Sequence, residues 1–257
     1  MHGNFESFDE FVEKLEEIEN MGYVKSHRSG NTGIGKTLED LLGIEENNIP
    51  GPDAAGVELK SARRDSGSMM TLFTKEPPRG SRELWASSLV EKYGYEDDDG
   101  RPALKVTLYV DEYNNQGFRT VTNEEGVHIE HEDDGIIATY PLDYLRDTYE
   151  EKFPEMVLVE ADTQTIDGDE YFWYNEAFYL EGFDAAEFLN LIRESIIKID
   201  LRMHLRDSGG ARNHGTAFRI KDTSKLDRAF ETRSQLIDGI GRDATVTEDP
   251  QQGLSDF

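Results

Sequence analysis

Pro52-Asp53-Ala54-Ala55-Gly56-Val57-Glu58-Leu59-Lys60 is the stretch on which the reading of this 257-residue chain turns. It holds an Asp, four residues, then Glu-x-Lys. Val57 and Leu59 among small residues predict a strand. Alternation along it puts Glu58 and Lys60 on one face and turns Leu59 the other way, into a core. Two carboxylates, Asp53 and Glu58, suit a hard cation such as Mg²⁺, which prefers oxygen ligands. A lysine beside them can orient or deprotonate a water for attack on phosphorus. Glu-x-Lys also occurs by chance on solvated strands, so the surroundings must decide.

Composition narrows the choices. The chain has no cysteine, so disulfides and thiolate metal sites are excluded and any metal must sit on Asp, Glu or His. No apolar run reaches the roughly 18 residues of a membrane span. The N-terminus has no basic region followed by an apolar stretch, so no secretion signal is expected and the default location is cytoplasmic. The net charge is −27, with 54 Asp and Glu against 27 Lys and Arg. So acidic a chain argues at first against nucleic acid as a partner. The pattern fits a halophilic, whole-surface adaptation, because concentrated salt screens the self-repulsion. The rival is an acidic mimic of nucleic acid. Two islands, residues 60–82 and 193–233, hold 16 of the 27 basic residues, whereas residues 89–190 hold 27 acids and 6 bases. A uniform mimic would lack such islands; a cleft that binds a phosphate backbone needs them.

Gly30-Asn31-Thr32-Gly33-Ile34-Gly35-Lys36-Thr37 matches the phosphate-loop pattern of nucleotide-binding proteins letter for letter. That loop requires a buried apolar strand before it, and Val24-Lys25-Ser26-His27-Arg28-Ser29 is too polar for one. The helix after it meets Gly43 within two turns. A P-loop NTPase therefore stands as the weaker reading. The other role is a glycine turn feeding a short helix that presents Glu39 toward Asp53 and Glu58.

The remaining elements follow from periodicity. Phe8, Phe11, Val12, Leu15 and Ile18 predict a helix over 5–20, with Ser7 and Glu10 as a capping box. Strands are predicted at 69–73, 103–110 and 156–159, and in an acidic meander at 117–122, 127–131 and 135–140; helices at 82–93 and 141–152. The aromatic run Tyr171-Phe172-Trp173-Tyr174 is read as core rather than as a base-stacking platform. Asp184 caps a helix to about Glu194, and a strand follows at 196–201. Residues 200–221, including Arg202, His204, Arg206, Arg212, His214, Arg219 and Lys221, read as a basic two-stranded ribbon. Such a ribbon fits the major groove, where Arg donates twice to guanine and an Asp such as Asp200 accepts from cytosine. A closing helix is predicted at 222–233 and a disordered polar tail at 242–257.

Three blocks taken together resemble the MvaI/BcnI-type restriction endonucleases, relatives of the nicking enzyme MutH in the PD-(D/E)xK nuclease superfamily. They are Gly30 to Glu39 with Leu41-Leu42-Gly43-Ile44 and Asn47-Asn48; Asp53 to Ser61 with Thr71-Leu72-Phe73; and Arg212 to Arg219. The resemblance implies an α/β (α+β) fold, with a restriction-endonuclease-like mixed sheet core flanked by helices and a second, DNA-recognition lobe forming a cleft. The expected division is 1–155 for the catalytic core, 156–235 for recognition and 242–257 for the tail. The implied activity is Mg²⁺-dependent, sequence-specific cleavage of double-stranded DNA to 5′-phosphate and 3′-hydroxyl ends, with MutH-like nicking as the alternative. Asp53, Glu58, Lys60 and Glu39 match the catalytic residues, with Asp53 and Glu58 as metal ligands and Lys105 as a candidate further lysine. Asp200, Arg202, Arg212, His214 and Arg219 match the base readers, with Lys221 beside them in the ribbon. The implied enzyme is a monomer with no stable protein partner, for which a companion DNA methyltransferase encoded nearby is a candidate.

Overall fold

A computed structural model describes residues 5–44, 57–64, 67–152, 155–213 and 215–239, together with 241, 242, 244, 246 and 247. Asp53 and His214 lie outside the described residues. The chain forms two compact units, one of Met1–Ser68, Tyr149–Asp184 and Phe230–Phe257, the other of Met69–Thr148 and Ala185–Ala229.

The first unit opens with α1 (Phe8–Asn20), β1 (Tyr23–Lys25), α2 (Gly33–Leu41) and β2 (Glu58–Arg63). The second takes β3 (Met70–Thr74), α3 (Ala86–Tyr93), β4 (Tyr95–Glu96), β5 (Pro102–Leu108) and the meander β6 (Phe118–Thr122), β7 (Gly126–His131), β8 (Gly135–Pro141). Helix α4 (Leu142–Lys152) leads back to the first unit and its long hairpin, β9 (Glu155–Ile166) and β10 (Asp169–Phe183). The second unit resumes with α5 (Ala185–Arg193), β11 (Ile197–Leu205), β12 (Ala211–Asn213) and β13 (Ala217–Ile220). The first unit closes with β14 (Phe230–Asp238) and β15 (Val246–Thr247).

In the first unit the sheet runs β15-β1-β10-β9-β2, with β14 also on β10. It is mixed: β2 runs parallel to β9, with Glu58 opposite Met156 and Lys60 opposite Leu158, while β9 and β10 are antiparallel. One core unites Phe11, Leu15 and Ile18 of α1, Ile34 and Leu38 of α2, Leu59 of β2, Val157 and Val159 of β9, and Phe172 and Tyr174 of β10. The aromatic run is core, as its alternation predicts: Phe172, Trp173 and Tyr174 are all buried, and the Trp173 indole donates to the Glu19 carbonyl at 2.9 Å. Ser7 caps α1 by accepting from the Glu10 amide at 3.2 Å, while the Glu10 carboxylate takes the amide of Glu6 rather than that of Ser7.

The second unit holds an antiparallel sheet, β3-β13-β11-β5-β4, with β12 also on β11, and the separate meander β6-β7-β8. Phe218 of β13 stacks on Phe73 of β3 at 4.4 Å and meets Tyr140 of β8 edge-on at 5.4 Å.

Three expectations differ from what is observed. The units interleave instead of dividing near residue 155, because β2 finds its parallel partner in β9, and a parallel pair needs a long crossover. The helix predicted over 222–233 is a 3-10 segment, Thr223–Ala229, followed by β14. Leu226, Ala229 and Phe230 lie three and one apart, a spacing that a 3-10 turn satisfies as well as an α-helix. Within the predicted tail, Val246 and Thr247 pair in parallel with Tyr23 and Val24; residues 248–257 lie outside the described residues. Among the described residues, no helix is long and apolar enough to cross a membrane.

Candidate active site and recognition face

Strand β2 sits at the edge of the first unit's sheet. Its alternation is as the sequence predicts: Val57 and Leu59 are buried, while Glu58 and Lys60 share the opposite, half-buried face. There the Lys60 ammonium donates to a Glu58 carboxylate oxygen. A carboxylate and an ammonium are thus fixed side by side on a rigid strand. Asp53, the motif's other carboxylate, lies outside the described residues.

Helix α2 packs against β2, close enough that a Cβ on Gly35 would lie 3.7 Å from the Ser61 hydroxyl. Glu39 is half-buried on this helix. Two buried groups hold α2 in place: the Tyr174 hydroxyl donates to the Ile34 carbonyl at 2.7 Å, and Thr37 accepts from the His27 amide at 2.9 Å. Tyr174→Phe should cost about 1–3 kcal/mol, the penalty for stripping one partner from a buried hydrogen bond. Urea unfolding measures it, and a change of only a few tenths would show that Tyr174 contributes packing alone.

The glycine segment does not have the form of a phosphate loop. Its helix starts at Gly33, inside the pattern. Lys36 pairs with Asp40 one turn on at 2.6 Å, and Thr37, which would have to reach a metal, is fully buried. Burial alone would raise the Asp40 pKa, but hydrogen bonds from Lys36 and His27 outweigh it and hold the carboxyl below its ordinary value. The loop carbonyls of Gly30 and Asn31 accept from Arg63, at 3.0 Å each, at the end of β2. Arg63 also grips Glu170 and lies over the Phe172 ring at 5.1 Å. Charge alone could not single Arg63 out in the sequence; its role is to tie the glycine loop to the strand that carries Glu58 and Lys60.

A fourth difference concerns the basic segment. Instead of a two-stranded ribbon it forms part of the second unit's sheet, with β11 between β5 on one side and β12 and β13 on the other. The reason is that Ile197, Ile199, Leu201 and Met203 give β11 an apolar face to bury. On β11, Ile197, Ile199, Leu201 and Met203 are buried on one face, leaving Lys198, Asp200, Arg202 and His204 on the other. Residues directly opposite each other in an antiparallel pair share a face. Arg202 lies opposite Lys105, His204 opposite Arg212, and Lys198 opposite Arg219. One sheet face therefore gathers Asp200, Arg202, Arg212 and Arg219, with exposed Lys221 just beyond β13. Lys105 stands on this face in the second unit, where its ammonium pairs with Asp97 at 2.7 Å.

Asp200 and Arg219 are both buried and bonded to each other at 2.7 Å, with Arg202 Nε at 3.4 Å from the same oxygen. The other Asp200 oxygen is buried with no hydrogen-bond partner among the described residues. Glu76, which the sequence did not single out, braces the turn between β12 and β13. It accepts from the Asn213 side chain at 2.7 Å and the Thr216 amide at 3.2 Å, and is paired with Arg82 at 3.1 Å. Among the described residues no three His, Asp or Glu side chains gather as a metal site.

A carboxylate–lysine pair on an edge strand, with a polar and basic sheet face in a separate unit, is an arrangement compatible with a nuclease of the restriction-endonuclease class. A family model described as the MvaI/BcnI restriction endonuclease family matches residues 12–228. Solved structures similar to the chain include two of MvaI. "Restriction endonuclease MvaI-cognate DNA substrate complex" is 27% identical, with a TM-score of 0.75, over 91% of this chain and 99% of that one. "Restriction endonuclease MvaI in the absence of DNA" is 27% identical, with a TM-score of 0.50, over 91% of this chain and 100% of that one. The comparison with curated proteins returned no match. The chain belongs to the MvaI/BcnI restriction endonuclease family, and so to the type II site-specific deoxyribonucleases. Restriction endonucleases of this kind generally use a divalent metal, and the carboxylate oxygens of Glu58 are the hard donors such an ion takes.

Proposed function

We propose that this enzyme cuts double-stranded DNA at a short specific sequence with Mg²⁺, using Asp53, Glu58, Lys60 and Glu39 for the chemistry. The observation that carries this reading is the Glu58–Lys60 pair on one half-buried face of β2. Glu58 and Asp53 would hold the ion, and Glu39, half-buried on the helix packed against β2, would assist them. Bound there, Mg²⁺ lowers the pKa of water and neutralises charge on the scissile phosphate. The Lys60 ammonium would orient the attacking water and set its charge against the phosphate as the P–O bond breaks, the water's proton passing to solvent. In-line attack leaves a 5′-phosphate and a 3′-hydroxyl.

Sequence readout falls to the sheet face of the second unit, with Arg202, Arg212 and Lys221 as donors; His214, outside the described residues, is proposed as a further donor on the resemblance alone. Asp200, buried beneath this face, would position Arg202, whose Nε lies 3.4 Å from its carboxylate. Arg219 holds that carboxylate in place. Arg212→Ala should relax specificity at one base pair by about 1–3 kcal/mol of discrimination and leave cutting at the remaining positions selective. Profiling cleavage over a randomised site measures it; a uniform loss at every sequence would assign Arg212 to the backbone instead.

The test of the whole reading is digestion of plasmid DNA in Mg²⁺ and molar KCl, where an acidic surface is screened. Ligatable fragments with one common end sequence are expected. Open circles alone would mean MutH-like nicking.

A further inference from the structure

The recognition face contains a concavity of about 550 Å³, lined by Arg101, Lys105, Arg202, His204 and Arg212 among others. Four of these are cations, gathered in one place by a chain whose net charge is −27. Arg101 stands at the turn before β5, Lys105 and Arg202 are cross-strand partners, and His204 faces Arg212. Such a gathering repels itself and favours an anion among its members. The protein supplies a partial answer. Asp97 accepts from Arg101 at 3.0 Å, from Lys105 at 2.7 Å, and from the amides of Asp99 and Arg101 at 3.1 Å each. Even so, Arg101 Nε is buried with no hydrogen-bond partner among the described residues.

We propose that Arg101 and Lys105, gathered with Arg212 around His204, form a subsite for a phosphodiester of duplex DNA, and that His204 takes up a proton when the subsite fills. This rests on the DNA-cutting reading and adds residues and a pH dependence that it does not contain. Arg202 and Arg212 reach for bases, while Arg101 and Lys105 fix the strand's register by its backbone.

The proton follows from the company His204 keeps. Burial lowers its pKa first, and the positive charges of Arg101, Arg212 and Lys105 lower it further, against a weaker pull upward from Asp97. Arg101 also donates to the Asp99 carboxylate at 2.5 Å and lies in the field of Asp207, and Arg202 pairs with Asp200 at 3.4 Å. In the free protein His204 is therefore neutral at pH 7. A phosphodiester brings negative charge into the same cavity and raises that pKa, so binding consumes a proton. Affinity is greatest below the free-state pKa and weakens as pH rises from there to the bound-state value; the limit is about tenfold per pH unit for one proton.

Fluorescence anisotropy with a labelled duplex of arbitrary sequence, without divalent metal, tests both parts. From about pH 5.5 to 7.5 at fixed ionic strength, the wild type should lose several-fold in affinity, and His204→Gln should show a distinctly shallower dependence. At fixed pH, Arg101→Ala and Lys105→Ala should each lower the slope of log Kd against log salt by roughly one. Lys105→Gln serves as a second variant should Lys105→Ala fold poorly. An unchanged salt slope in both arginine and lysine variants, or a pH dependence identical in His204→Gln, overturns the subsite. Inorganic phosphate replacing chloride at equal ionic strength should compete only weakly; strong competition would make this a free-phosphate site and overturn the assignment to DNA. A wild type that binds no duplex at any salt removes the DNA reading itself, a failure distinct from the others.

Discussion

Lys60→Ala should reduce the rate of DNA cleavage at saturating enzyme by about 10³-fold or more, while affinity for uncleaved DNA in the absence of metal changes less than tenfold. Removing a single charge-stabilising donor from an active site costs about 10²–10³ in rate. Lys60 is assigned both that role and the orientation of the attacking water, so its loss belongs at the top of the range. Glu58→Gln should fall as far for a different reason. It keeps the shape of the side chain but removes the negative charge that both the ion and the Lys60 ammonium require. Raising Mg²⁺ should recover part of the Glu58→Gln rate and none of the Lys60→Ala rate, which separates metal binding from water orientation. Single-turnover cleavage with a labelled duplex measures all three. Retention of a tenth or more of the wild-type rate in Lys60→Ala would place the chemistry elsewhere.

The second large effect is on stability. Asp200 and Arg219 are buried and joined at 2.7 Å in the middle of the second unit's sheet. Removing one member of a buried pair leaves an uncompensated charge and costs about 3–5 kcal/mol. Asp200→Ala should therefore cost that much in urea unfolding, a large share of the roughly 5–15 kcal/mol that holds a typical domain together. Replacing both members with apolar groups of similar volume, Asp200→Leu with Arg219→Met, should restore most of the loss and abolish sequence-specific cleavage. A single-variant cost under about 1 kcal/mol would show that water reaches the pair. A double variant that still cuts at the correct site would show that neither residue contributes to recognition.

Much of this was legible because local pattern and tertiary role agree. Val57 and Leu59 alternate with Glu58 and Lys60, and that alternation alone fixes which side chains leave the core. The same rule sorted β11, where Ile197, Ile199, Leu201 and Met203 alternate with Lys198, Asp200, Arg202 and His204. The glycine segment was legible by elimination, since what precedes it could not be a buried parallel strand; β1 proves to be three residues long and paired antiparallel with β10. What was hidden depends on partners distant in sequence. Nothing near β2 announces β9, whose pairing with it interleaves the two units. The β9–β10 hairpin runs well beyond its apolar stretches through Thr163, Gln164 and Thr165, whose polarity masks a strand that its partner completes. Residues 222–238 misled because a three-residue spacing fits two kinds of helix, and because the exposed middle of β14 offers no alternation. Arg63, Glu76 and Arg101 act through contacts that only the fold creates.

The most direct test of the central claim is to incubate the wild-type protein with plasmid DNA, Mg²⁺ and molar KCl and to sequence the ends of every fragment. A single short recognition sequence is expected at all ends, with 5′-phosphates throughout and no fragments from Lys60→Ala under the same conditions. Ends scattered without a common sequence, or intact plasmid beside ATP hydrolysis that Lys36→Ala abolishes, would contradict the claim.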